Sequence, residues 1–151
     1  IPFYGEVSGY RVMLLEFPHG HLVPGSENLV HWLLQQRIRP LIAHPERNKQ
    51  IMRDCSQLRP FLEAGCWLQV TAGSVTGHFG GRAQSIAHRL LGEDSVKVLA
   101  SDGHNAGARP PALAEAFAAV ASQYGQARAQ RLLHEAPAEI AAAQFAGISN
   151  L

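Results

Sequence analysis

Leu41-Ile42-Ala43-His44-Pro45-Glu46-Arg47-Asn48 passes within eight residues from an apolar run to a cluster of polar side chains. The run, opened by Pro40, reads as a short buried strand, and the polar cluster begins where it ends. The same pattern recurs on both sides. Upstream, Arg11 to Phe17 (RVMLLEF) is a strand with Glu16 at its end; downstream, Val96 to Ala100 (VKVLA) runs into Ser101-Asp102-Gly103-His104-Asn105. Cys66 to Thr71 (CWLQVT) supplies a further strand, followed by the glycine-rich stretch Ala72 to Gly81, read as a close-packed loop.

Helical patterns fill the intervals. Leu29, Val30, Leu33 and Leu34 predict an amphipathic helix over 26–38, entered through Pro24-Gly25-Ser26. A second helix is expected over 57–64, stopped by Gly65, and a third over 82–91 with Ile86, Leu90 and Leu91 on one face. Pro110-Pro111 starts a helix carrying Leu113, Phe117, Val120 and Tyr124, and the alanine-rich tail predicts one or two more, broken near Pro137. Strands alternating with helices imply an α/β fold with a parallel sheet, and residues 1–151 show no internal boundary. In such folds sites form at the carboxyl ends of strands. Glu16, His44, Asp102 and His104 all fall there. Four strands are too few to close a barrel, so either the sheet is open or its first strands lie on a segment outside this chain. The absence of an initiator methionine favours a piece of something longer.

Composition narrows the function. A formal charge of +1 gives no argument for nucleic acid or an acidic surface as partner. No apolar run approaches the ~18 residues of a membrane span, and no signal peptide is visible. Cys55 and Cys66 form no Cys-x-x-Cys and read as reduced thiols of a cytoplasmic protein. Neither is followed by arginine as in a Cys-x5-Arg phosphatase nucleophile. The glycine-rich stretch lacks the Lys-Ser/Thr of a P-loop.

The chemistry rests on the eight histidines and their neighbours. Asp102 and His104, separated by Gly103, can both reach one centre from a strand end, and carboxylate with imidazole suits manganese, zinc or iron. The competing reading is a plain turn capped by Asp102. Glu16, among Leu14, Leu15, Phe17 and Pro18, needs a partner or a cation if buried. Arg47 offers a planar donor fork to a phosphate or carboxylate, unless it pairs with Glu46 or Asp54 on the surface. His19 and His21 read as solvated loop residues, His31, His88 and His134 as helix-surface residues, and His78 takes no role.

His44-Pro45-Glu46-Arg47-Asn48, Leu68 to Gly80 (LQVTAGSVTGHFG), and Ser101 to Asn105 followed by Arg109-Pro110-Pro111 resemble the bacterial PHP-type tyrosine phosphatases of capsular and extracellular polysaccharide gene clusters. Leu14 to Pro18 matches the same pattern. The resemblance implies the C-terminal part of a distorted (β/α)7 PHP barrel with a metal centre at its strand ends. It implies Glu16, His44, Asp102 and His104 as metal ligands, two or three manganese ions in a complete site (iron or zinc being the alternatives), and Arg47 and Arg109 as holders of the substrate phosphate. The reaction would be hydrolysis of phosphotyrosine on an autophosphorylated bacterial tyrosine kinase by metal-activated water. Gly103 stands where the family usually has alanine, and the family's leading His-x-His strand has no counterpart here. The chain alone is therefore expected to expose a sheet edge and an apolar inner face, to be weakly active or inactive, or to pair with another copy. Rival readings are a PHP phosphoesterase of a small phosphate ester such as histidinol phosphate, and a non-catalytic remnant that binds metal or a partner.

Overall fold

The computed structural model describes residues 3–7, 9–101 and 110–146. Among them one sheet holds β1 (Phe3–Val7), β2 (Tyr10–Leu15), β3 (Ile38–Ala43), β4 (Trp67–Thr71) and β5 (Val96–Ala100), side by side in chain order. The strands β2 to β5 are parallel, as the alternation predicts. β1 runs antiparallel to β2 and has no counterpart among the strands expected from sequence: Gly5 and Glu6 interrupt the apolar pattern of FYGEV.

The crossovers carry α1 (Ser26–Gln35), α2 (Lys49–Arg53), α3 (Arg59–Ala64), α4 (Ala72–Val75) and α5 (Gly81–Leu91). The first helix stops at Gln35 rather than 38 because Arg37 takes a left-handed φ of 57° and turns the chain into β3. The helix expected over 57–64 splits into a 3-10 turn, Cys55–Leu58, and α3, with Pro60 seated in the first turn of α3 where its missing N–H costs nothing. Beyond β5 come α6 (Pro110–Tyr124), α7 (Gln126–Gln130), a π-helical turn over Arg131–Glu135, and α8 (Ala136–Ala146). The tail is not broken near Pro137: the chain stays helical from Gln126 through that π turn into α8, and the interruption falls earlier, at Gly125, whose φ of 92° separates α6 from α7.

One sheet face packs against the crossover helices, burying Ile42, Leu68, Val70, Val96 and Leu99 with Phe61, Ile86 and Leu91. Val96 and Leu99 share that face although three residues apart, because the β4–β5 pairing slips between Leu68 and Gln69. The opposite face was expected to stand open. Instead Val12, Leu41 and Val98 are buried with Ile140 of α8, and β1 covers the free edge of β2. Cys66 is buried and Cys55 half-buried, both as free thiols; burial pushes the Cys66 thiol up to about 12, which keeps it protonated and inert. None of the helices described is long and apolar enough to cross a membrane.

Two polar side chains lock the turn after β3. Glu46, in a 3-10 turn over Pro45–Arg47, is fully buried. Its Oε1 accepts from the Thr71 backbone N–H at 2.9 Å and from the Ser74 hydroxyl at 2.8 Å. Burial raises its carboxyl above the ordinary glutamate range, against the lowering effect of those hydrogen bonds. The Thr71 hydroxyl adds only a poorly aligned contact. Asn48 caps α2 by accepting from the N–H groups of Gln50 and Ile51, while its amide donates to the carbonyls of Pro18 and His21. One side chain thus starts a helix and pins the loop after β2.

Glu46→Ala should lower stability by about 2–5 kcal/mol, the loss from two unsatisfied buried donors and a cavity. Glu46→Gln keeps an acceptor oxygen and should cost less than half as much in urea denaturation; equal costs would mean the hydrogen bonds contribute little. Asn48→Ala should cost about 1–3 kcal/mol by the same measurement.

Candidate functional site

The residue after β2 is Glu16 and the residue after β3 is His44. Since these strands are parallel neighbours with Leu15 opposite Ile42, the two side chains emerge beside one another. Glu16 Oε1 lies 3.1 Å from His44 Nε2. The two differ in exposure: the imidazole is 7% exposed and the carboxylate 58%. Glu16 is therefore an open strand-end carboxylate, not a buried one. The His44 N–H donates to the Gln69 carbonyl at 2.8 Å, joining β3 to β4, yet its backbone is left-handed, with φ 35° and ψ 51°. A β-carbon disfavours that conformation, and the following Pro45 should push the residue toward extended backbone. Such strain, of order 1–3 kcal/mol, is found where packing over-determines a functional geometry.

Around this pair stand Arg47, expected from sequence, and two residues with no role assigned from sequence, His19 and Phe79. The His19 ring is 5.3 Å from that of His44, centre to centre, and the Arg47 guanidinium lies 3.3 Å from His19 Nε2. His19 is held in place through its own carbonyl, which accepts from the Lys49 N–H at 2.7 Å. Arg47 Cζ sits 4.2 Å over the ring of Phe79, from the glycine-rich stretch. Glu46 turns inward to Thr71 and Ser74, and Asp54 accepts from Ser56 and Gln57, so both sequence-suggested partners of Arg47 have other engagements. The glycine-rich stretch itself begins with the short helix α4, so only its second part is loop.

His88, placed on the surface from sequence, is half-buried with Nε2 3.2 Å from the Val75 carbonyl. His31 and His134 are exposed, as expected. Asp102, His104 and Arg109 lie outside the described residues, and among the described residues no three His, Cys, Asp or Glu side chains gather as a metal site. Glu16 and His44 nevertheless fit a divalent cation in donor chemistry: one hard carboxylate oxygen and one imidazole nitrogen converge, and the first is open to solvent. The ≈ 380 Å³ cavity bordered by Trp67, Val96, Arg131 and Ile140 includes neither.

His19 carried a weak sequence signal, a histidine close behind a strand-end carboxylate. Phe79 carried none, since its approach to Arg47 depends on how the glycine-rich loop folds back. Glu46 carries none either, since a glutamate between proline and arginine has the pattern of a surface residue.

Residues 5–142 match the family model described as capsular polysaccharide synthesis, CpsB/CapC. The chain is 34% identical over 115 residues to the tyrosine-protein phosphatase YwqE of Bacillus subtilis, covering 76% of this chain and 45% of that protein. It is 32% identical to the tyrosine-protein phosphatase CpsB of Streptococcus pneumoniae over 72% of this chain and 46% of the relative. The putative tyrosine-protein phosphatase CapC of Staphylococcus aureus is also 32% identical, over 71% of this chain and 42% of its own length. The chain therefore spans less than half the length of these relatives. A crystal structure from work on YwqE and CpsB, described there as unique metal-dependent tyrosine phosphatases, superimposes with a TM-score of 0.78 at 32% identity, over 88% of this chain and 53% of that one. The parallel sheet and its flanking helices are thus those of a known fold, and the chain belongs to the CpsB/CapC family of capsular polysaccharide synthesis.

Proposed function

We propose that this chain is the C-terminal part of a metal-dependent protein tyrosine phosphatase acting on an autophosphorylated tyrosine kinase of capsule or exopolysaccharide synthesis, in the cytoplasm. The observation that carries the reading is the convergence of Glu16 and His44 at adjacent strand ends, with Arg47 on the turn that His44 begins. Glu16, His44, Asp102 and His104 would hold divalent cations, with manganese as the native metal. Bound cations supply Lewis-acid activation of water and neutralisation of phosphate charge. Arg47 and Arg109 would grip the phosphate, because a guanidinium fork matches two phosphate oxygens at once. The left-handed turn at His44 lets one short segment offer both an imidazole and, three residues on, that fork. His19, beside both, would orient the guanidinium by hydrogen bonding. Support for the phosphotyrosine substrate comes from the relatives' activities and from the His-Pro-Glu-Arg-Asn turn, which favours this reading over a small phosphate ester.

The test is metal content together with manganese-dependent hydrolysis of p-nitrophenyl phosphate and a phosphotyrosine peptide. In a version of the protein that turns over, Arg47→Ala should reduce peptide hydrolysis about a hundredfold or more, as loss of a charge-stabilising donor does, while metal content stays level. Asp102→Ala should reduce bound metal. Unchanged turnover removes Arg47 from the site, and full metal occupancy in Asp102→Ala removes that ligand. A chain that binds at most one metal and hydrolyses neither substrate would favour a non-catalytic remnant. Two or more metals with activity would mean the site is completed here, across a homo-oligomer or within one chain.

A further inference from the structure

Phe79 is one of the few large apolar side chains with substantial exposure, 37%. Its ring belongs to neither sheet-face core. What it touches is the guanidinium of Arg47, with Cζ 4.2 Å from the ring centre. The loop that delivers it is built for the purpose. Gly77 and Gly80 take φ values of 86° and 89°, which fold the chain back on α4, and the His78 N–H closes that turn on the Gly73 carbonyl at 2.7 Å. Gly73 itself has no positive φ and sits inside α4, where glycine costs roughly 1 kcal/mol relative to alanine. Backbone conformation therefore gives no reason for glycine there. Space does: a β-carbon at Gly73 would lie 2.8 Å from Phe79 Cε2 and 3.4 Å from the His78 β-carbon.

Resting on the reading of Arg47 as a phosphate holder, we infer that Phe79 is its positioning residue and that Gly73 is glycine to seat the Phe79 ring. A guanidinium lying on an aromatic face keeps its in-plane N–H donors available to an anion while the ring quadrupole attracts its charge. An arginine with four rotatable bonds otherwise loses considerable side-chain entropy when it closes on phosphate. Stacking on Phe79, with the His19 contact at 3.3 Å on one edge, restrains the side chain before the anion arrives. The arrangement thus runs from a missing β-carbon in α4, through an aromatic ring, to the side chain that would meet the substrate.

The experiment compares the parent chain with Phe79→Leu, Phe79→Tyr, Gly73→Ala and Arg47→Ala, all loaded with manganese or its diamagnetic substitute zinc. The first readout is the Arg47 Nε–H resonance by NMR. The ring should shift it upfield in the parent and in Phe79→Tyr, and it should move downfield in Phe79→Leu and in Gly73→Ala. The second is the dissociation constant for inorganic phosphate, by calorimetry. Phe79→Leu and Gly73→Ala should weaken it about three- to tenfold, the range of an exposed to partly desolvated cation–π contact, and Phe79→Tyr should restore it. Gly73→Ala is the decisive variant, since it leaves every group near Arg47 chemically intact and makes its tightest contact, 2.8 Å, with the ring. If Arg47→Ala abolishes phosphate binding while Phe79→Leu and Gly73→Ala leave it unchanged, Phe79 is not a positioning residue and the reading of Arg47 stands. If Arg47→Ala also binds as the parent does, or the parent binds no phosphate, the reading of the site fails and the inference falls with it.

Discussion

A carboxyl group sealed from water beneath the turn after β3 is the constraint on which the rest of the site depends. Glu46 is fully buried, and a buried carboxyl is tolerated only with hydrogen-bond partners. Its two strong partners, the Thr71 N–H and the Ser74 hydroxyl, belong to the end of β4 and to α4. The two hydrogen bonds to Glu46 Oε1 therefore fix the turn over Pro45–Arg47 against the next strand. With residue 46 held inward, His44 on one side and Arg47 on the other are left pointing toward the strand ends, and the left-handed backbone of His44 is the local strain that this arrangement imposes. Asn48 completes the clamp by tying the loop after β2 to the same turn. Three successive strand ends are coupled through two polar side chains.

The electrostatic character of the site follows from unequal burial. His44 is shielded and fixed by its backbone bond to Gln69, whereas Glu16 extends into solvent beyond β2. A pair with one rigid imidazole donor and one accessible carboxylate donor can accept a cation with little rearrangement of the buried member. Arg47 lies against an imidazole edge and an aromatic face, while the carboxyl of its own turn, Glu46, is engaged with Thr71 and Ser74.

The scaffold closes both faces of its sheet with its own elements. The face that would be bare in an open sheet is shielded where Ile140 of α8 meets Val12, Leu41 and Val98, and the antiparallel β1 lies along the edge of β2. These contacts involve segments at opposite ends of the chain. Their closure gives the central strands a buried environment on both faces, which is what near-continuous apolar runs such as Leu41-Ile42-Ala43 require.

Much of the fold and half of the candidate site were legible in the residues themselves. Apolar runs of strand length, separated by helical periodicity, specify a parallel α/β sheet because both signals are local. A polar residue directly after such a run must lie at a strand end, so Glu16 and His44 could be placed together without coordinates. Exact helix ends were less legible, since the stop at Gln35 depends on a left-handed arginine and the split before Pro60 on 3-10 geometry. What only tertiary structure decided were the partnerships between distant segments. His19 meets Arg47 across 28 positions, Glu46 meets Ser74 across 28, and Phe79 reaches Arg47 only because two glycines fold its loop back over α4. Residue type and spacing determine which strand end a side chain leaves from; which groups it then meets depends on packing, because the partners come from other crossovers and are brought close only when the buried carboxyl and the apolar faces are satisfied together.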